Sequence, residues 1–278
     1  MTALFRLLSL MPLRLLHALG ALMGWVVWAV SPVWRRRFAQ HAAQAGYSAR
    51  EVRPAVAHTG RMVAELPRLW FGATPPIDWD NKSSLDAAFA SGRGVMVLVP
   101  HMGCFEAVAV AIAGGLGPEA PPFTVLFRPA RKAWLAPLVA ASRSRPGLLA
   151  VPTNLTGVRQ MVKALRAGQA VGLLPDQVPP EGQGLWVPYF GKPAYTMTLA
   201  ARMVLQTGAE VRLLWGERLP AGRGYRLHVR ELQSPLASDL ETAVAQINQG
   251  MEQLVRECPQ QYLWSYNRYK QPRRESGA

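Results

Sequence analysis

The sequence predicts an α/β fold: a mixed, mostly parallel sheet flanked by helices, with an N-terminal membrane-anchor helix. Three observations carry this expectation. Val95-Met96-Val97-Leu98-Val99 is continuously apolar between Gly94 and Pro100, as a parallel strand buried on both faces must be. Short apolar runs then alternate with helical patterns as far as residue 257, the signature of a sheet sandwiched by helices. Residues 15–34 carry no Asp, Glu, Lys or Arg, and twenty residues at helical rise match a hydrocarbon core of about 30 Å.

That N-terminal run contains Trp25, Trp28 and Trp34 and is followed at once by Arg35, Arg36 and Arg37. A signal peptide would end on small residues at a cleavage site, so an anchor is a better reading than that or than a buried helix of a soluble protein, whether it spans, half-inserts or lies in the interface. Three arginines after the run against Arg6 and Arg14 before it favour a cytoplasmic location for the chain beyond the anchor. The expected division is an anchor over 1–37 and a catalytic domain over 38–278.

Residues 38–71 show helical spacing through Val52, Val56, Met62, Val63, Leu66 and Leu69, interrupted by Pro54 and Pro67. The segment 74–77 reads as a connector, and a helix over 84–90 stops at Ser91-Gly92-Arg93-Gly94. After the 95–99 strand come a helix over 105–113, a strand over 123–127 and a helix over 132–141. A strand over 148–151, a helix over 156–167 and a strand over 170–174 come next. Then come a helix over 196–206, strands over 210–217 and 224–232, a helix over 240–257 and a tail over 261–270. Functional groups of such a sheet gather beyond the carboxyl ends of its strands.

Composition narrows the function. Thirty-one Lys and Arg face 17 Asp and Glu, a formal net charge of +14, although only 17% of residues are charged. Nucleic acid, anionic lipid and acidic proteins would each explain such a balance. The arginines are scattered without recognition-helix or zinc-finger spacing, and the apolar N-terminus tips the choice to a membrane. Cys104 and Cys258 are the only cysteines; they make no disulfide framework and no metal site, so no metal is expected.

The chemistry concentrates in Pro100-His101-Met102-Gly103-Cys104-Phe105-Glu106, directly after the buried strand. Residues five apart on a regular helix point about 140° apart. His101 and Glu106 therefore cooperate only if the histidine sits on the strand-to-helix turn, which Gly103 permits. The pair would then act as general base and orienter, with a substrate alcohol in the place of a nucleophilic serine. Cys104, near a histidine and a helix N-terminus, is an alternative nucleophile as a thiolate. His17, His41, His58 and His228 lie in the anchor, on a polar helical stretch or on the outward side of a strand.

The motif resembles the first block of the late acyltransferases of lipid A biosynthesis, a branch of the lysophospholipid acyltransferase superfamily. Val125-Leu126-Phe127-Arg128-Pro129 resembles the second block of that family, Gly172-Leu173-Leu174-Pro175-Asp176-Gln177 the third, and 186–196 the fourth. Tyr262-Leu263-Trp264-Ser265-Tyr266-Asn267-Arg268-Tyr269 is similar to its terminal signature. Cys104 and Phe105 stand where the family usually has asparagine and tryptophan, and 40–47 lacks its usual Asn-Leu start.

The resemblance implies a glycerolipid acyltransferase-like fold and transfer of a fatty acyl group from acyl-acyl carrier protein to a hydroxyl of a lipid A precursor. It implies the inner membrane as location, with the catalytic domain facing the cytoplasm. It further implies His101 and Glu106 as catalytic residues, with no metal, cofactor or covalent intermediate. Arg128 would hold the thioester oxygen or an acceptor phosphate. Asp176 and Gln177 would shape the acceptor pocket or brace the catalytic turn, and Gly191 and Thr196 would make a tight loop and a helix start. The competing expectations are the same chemistry on another lipid acceptor, and an inactive membrane-anchored lipid-binding protein.

Overall fold

The structure, a computed structural model, describes residues 2–115, 121–127, 136–143 and 145–274. Seven strands form one sheet in the order β1-β9-β8-β2-β5-β3-β4, from β1 (Ile77–Asp80), β2 (Val95–Leu98), β3 (Phe123–Phe127), β4 (Leu148–Pro152), β5 (Ala170–Leu173), β8 (Glu210–Arg218) and β9 (Tyr225–Arg230). All neighbours pair in parallel except β8 and β9, as expected for a mixed, mostly parallel sheet. A separate antiparallel hairpin joins β6 (Gly184–Tyr189) to β7 (Lys192–Met197).

The centre of the sheet explains its unbroken apolar sequence. Met96 and Leu98 of β2 face one core with Met161, Leu165 and Met251. Val95, Val97 and Val99 face the other, with Leu85, Val108 and Ile112. The first core is covered by α9 (Leu155–Arg166), α10 (Leu199–Thr207) and α11 (Leu240–Glu257), and the second by α6 (Lys82–Ala90) and α7 (Phe105–Gly115). Each fully buried side chain of this size contributes about 1.5–3 kcal/mol. No polar side chain would be tolerated at β2 without a partner.

Upstream, the chain forms α1 (Thr2–Ser9), α2 (Leu13–Val30), α3 (Pro32–Gln44), α4 (Pro54–Ala64) and α5 (Leu66–Phe71), and α8 (Ala136–Arg143) lies between β3 and β4. The helical pattern expected over 38–71 is broken where Pro54 and Pro67 interrupt it, since each stands in the first turn of a new helix, where a missing N–H costs nothing. The expected boundary after residue 37 falls inside α3. Nor does α2 stand apart from the helices after it. Gly20 and Gly24 pack against Gly60 so closely that a Cβ at Gly60 would meet the Gly20 carbonyl. The tryptophans of 15–34 are partly buried against the core. On the other side of α2, Leu15, Leu19, Leu22, Met23, Val26, Val27 and Val30 are exposed, which leaves an apolar stripe open on a docked helix.

Three local expectations need correction. The connector at 74–77 runs into a strand, β1. The helix expected from 196 begins at Leu199 after Thr198, while Thr196 is a strand residue of β7 whose hydroxyl is buried. Gly191 does occupy a tight loop, at φ +72° between β6 and β7. His228 is not on an open face: its ring stacks on Trp215 at 4.4 Å and bonds Asp80 and Glu217.

Candidate active site

Two neighbouring strands place the key side chains. β2 and β5 run in parallel with Leu98 opposite Leu173. His101 lies three residues past Leu98, and Asp176 three residues past Leu173, so equal overhangs bring them side by side. Asp176 accepts two hydrogen bonds there. One comes from the backbone N–H of His101 to Oδ2 at 2.8 Å, the other from Nδ1 to Oδ1 at 2.7 Å. An ionised carboxylate only accepts, so the ring proton sits on Nδ1 and the Nε2 lone pair is free. Among the described residues nothing bonds Nε2, and the imidazole keeps 19% of its side-chain exposure.

Asp176 itself is only 2% exposed. Burial alone would raise its pKa, but the His101 charge and the two hydrogen bonds overcome that and hold it below the usual aspartate range. The carboxylate therefore stays ionised and ready to stabilise an imidazolium. Buried Arg268 adds positive potential nearby. Its guanidinium donates to the Tyr195 carbonyl at 2.8 Å and to Thr196 Oγ1 at 2.6 Å, and lies over the Tyr189 ring. Tyr189 in turn donates to Tyr262 at 3.1 Å.

The turn carrying His101 is pinned from behind. Gly103 has φ +52°, and a Cβ there would strike the Gly216 carbonyl, so this position requires glycine. The N–H of Gly103 donates to the Gln261 carbonyl at 2.9 Å, and that of Cys104 to the Gly216 carbonyl at 2.7 Å. Arg218 donates to the Gly103 carbonyl. Arg218 is locked by Glu65 in a bidentate pair at 2.7 and 2.6 Å, and Glu65 also bonds His17 and Tyr225, each at 3.0 Å. Burial opposes ionisation of Glu65, yet Arg218 brings its pKa down to about 2.

Of the other expected residues, Glu106 is buried in the first turn of α7, where the helix dipole favours its charge, and it has a polar or electrostatic partner of its own. Among the described residues the carboxylate bonded to the His101 ring is that of Asp176, with no His101–Glu106 hydrogen bond. Asp176 thus touches the turn directly at His101, while Gln177 is half-buried beside it. Arg128 lies outside the described residues. Cys104 is 1% exposed, and burial together with Glu65 pushes its thiol well up, which leaves no thiolate nucleophile. Sequence reasoning missed Glu65, Arg218 and Gln261; only their unusual burial identifies them.

An imidazole held this way at the mouth of a parallel sheet has the orientation that a general base requires. Comparison with known proteins supplies the class. Residues 2–271 match the family described as bacterial lipid A biosynthesis acyltransferase, and the chain belongs to that family: it is an acyltransferase with a lipid acceptor. It is similar to the lipid A biosynthesis palmitoleoyltransferase of Escherichia coli (strain K12), 24% identical over 216 residues, 76% of this chain and 68% of that one. It is also similar to the lauroyltransferase of the same strain, 31% identical over 115 residues, 41% and 38% of the two chains. A lipid A biosynthesis acyltransferase of Haemophilus influenzae (strain ATCC 51907 / DSM 11121 / KW20 / Rd) is 23% identical over 180 residues, 65% of this chain and 55% of that one.

Proposed function

We propose that this chain transfers a fatty acyl group from acyl-acyl carrier protein to a hydroxyl of a lipid A precursor at the cytoplasmic face of the inner membrane, with His101 as general base. The observation that carries the reading is the Nδ1–Asp176 hydrogen bond of 2.7 Å, which leaves Nε2 as the proton acceptor. The acceptor hydroxyl gives its proton to Nε2 as its oxygen bonds to the thioester carbon. The tetrahedral intermediate then expels the carrier thiolate, and the imidazolium returns the proton to that sulfur. The ester forms, the thioester breaks, and the histidine ends as it began.

Asp176 stabilises the transient imidazolium. Glu106 is the second carboxylate of the site, held at the start of α7, and Arg128 is assigned to the thioester oxygen or an acceptor phosphate. No metal, cofactor or acyl-enzyme takes part in these steps. The exposed apolar side of α1 and α2, with Leu4, Leu7, Leu10, Leu15, Leu19 and Leu22, supports membrane seating of residues 1–37. The +14 charge supports recruitment of an acidic carrier and a phosphorylated acceptor. Each acyl methylene buried in an apolar slot adds about 0.8 kcal/mol to donor binding.

The test is purified enzyme with acyl carrier protein thioesters and a lipid A precursor, read by mass. A product heavier by one acyl group is expected, and His101→Ala should abolish it while the protein remains folded. Transfer at the normal rate by His101→Ala would refute the base assignment. Acylation of a lysophospholipid but not of the lipid A precursor would replace the acceptor.

A further inference from the structure

Behind the catalytic turn lies a cavity of about 470 Å³ that contains neither His101 nor Asp176. Its walls come from the start of α2, from α4, and from the end of β8 with the loop 219–222. Arg14, His17, His58, Arg61, Arg218 and Gln261 line it. The charge on these walls is unbalanced. Arg218 is neutralised by Glu65, and Glu217, also on the wall and hydrogen-bonded to His228 at 3.0 Å, is one carboxylate against the two guanidiniums of Arg14 and Arg61. Among the described residues neither Arg14 nor Arg61 has a carboxylate within ion-pair distance. Among those residues Arg61 donates to the His17 carbonyl at 3.3 Å, and its Nη1 faces the His58 ring.

The hydrogen bonding around His58 is also incomplete. Arg218 Nη1 faces its Nδ1 at 3.0 Å and Arg61 Nη1 faces its Nε2 at 3.1 Å. A guanidinium only donates, and a neutral imidazole has one lone pair in its ring plane. One of the two contacts therefore sets N–H against N–H. Protonation would make both contacts repulsive, and burial together with Arg218 and Arg61 holds the His58 pKa down to about 2. At least one donor is left without an acceptor beside the cavity, and an anion there would supply acceptors to His58, Arg61 and Arg14 together. Arg14 stands in the first turn of α2, where unpaired backbone N–H groups add positive potential.

We infer that this cavity is an anion site for a phosphate group, carried by a membrane lipid whose tails lie along the exposed leucines of α2. Leu15, Leu19 and Leu22 are 48%, 42% and 63% exposed and come after Arg14 along that helix. They offer an apolar track that leads a headgroup to the cavity mouth. The site is separate from the transfer chemistry at His101 and does not depend on it. It shares Arg218 and Gln261 with the backing of the Gly103 turn.

The test uses the full chain in detergent, with thermal midpoint measured in inorganic phosphate and in chloride at equal ionic strength. Phosphate should raise the midpoint of the wild type and of an Arg36→Gln/Arg37→Gln control, which removes the same charge from an exposed stretch of α3. The Arg14→Gln/Arg61→Gln variant should bind phosphate about tenfold more weakly or worse, from the loss of charge-assisted hydrogen bonds. Arg14→Gln alone, on an exposed side chain, tests the site if the double variant does not fold. An equal phosphate response in cavity variant and control would overturn the proposal. A second arm compares sedimentation with phosphatidylcholine vesicles and with vesicles that also contain phosphatidic acid. Loss of the phosphatidic acid increment in the cavity variant but not in the control supports the lipid source. An undiminished increment assigns the site to free phosphate and defeats the lipid part.

Discussion

Replacing Asp176 by asparagine tests the site most sharply, because the geometry dictates how it must fail. Asp176 accepts from the His101 backbone N–H with one oxygen and from Nδ1 with the other. The backbone N–H is a fixed donor, so the single oxygen of an asparagine has to stay with it, and the amide NH2 then faces Nδ1. Nδ1 becomes an acceptor, the ring proton moves to Nε2, and the lone pair that should take the substrate proton is gone. The imidazolium also loses a buried negative charge at 2.7 Å. An amide in place of an orienting carboxylate costs about 10⁴ in kcat in a Ser-His-Asp triad, equivalent to about 5 kcal/mol, and a similar loss is expected here. The assay is single-turnover acyl transfer by mass, with KM for the carrier thioester measured separately. The loss should fall on kcat, with KM nearly unchanged. Glu106→Gln is the comparison: if it is inactive while Asp176→Asn stays within about tenfold of the wild type, the carboxylate working through the imidazole is Glu106 and this reasoning is wrong.

Arg218→Met leaves Glu65 buried without its cation, so unfolding in denaturant should show a loss of about 3–5 kcal/mol; a change below about 1 kcal/mol would mean the network is dispensable. In the wild type, the Glu65 pKa is depressed to about 2 from an unfolded value of about 4.3. Its stabilising contribution is thus complete above that unfolded value and is lost as pH falls toward 2, which an acid titration of circular dichroism will track. Gly60→Leu must push α2 away from α4, because even a Cβ meets the Gly20 carbonyl. Faster proteolysis between residues 44 and 54, with a stability loss of about 1–3 kcal/mol, is expected. Cys104→Ser should keep its acyl transfer rate, since the buried thiol stays protonated; an inactive but folded serine variant would restore the thiolate mechanism.

The sheet was legible in the sequence where burial is two-sided. β2 and β5 are apolar runs between turn residues, and β8 has the apolar centre Leu213-Leu214-Trp215. β1 was not, because Ile77-Asp78-Trp79-Asp80 is a short edge strand with two acids and looks like a loop. The β6–β7 hairpin hid behind Thr196, an acceptable helix cap by residue type, whereas α10 starts after Thr198, whose hydroxyl makes no cap bond. His101 was found from its place after a buried strand. Its bond to Asp176 was not assigned, because 75 residues separate the two and only the adjacency of β2 and β5 unites them. Glu65 and Arg218, 153 residues apart, look in sequence like ordinary surface charges; local pattern carries no sign that they are buried as a pair.

The Gln261 carbonyl that receives the Gly103 N–H, and the bridge between Met102 and Tyr262, give the site a place in time as well as in space. Strands β2 and β5 are synthesised long before residues 261–268, yet the loop between β2 and α7 takes its working shape only against that late segment. A nascent chain can therefore assemble much of its sheet on the ribosome while the imidazole is still unanchored. The loop that carries His101 is therefore completed only once residues 261 and 262 have been made.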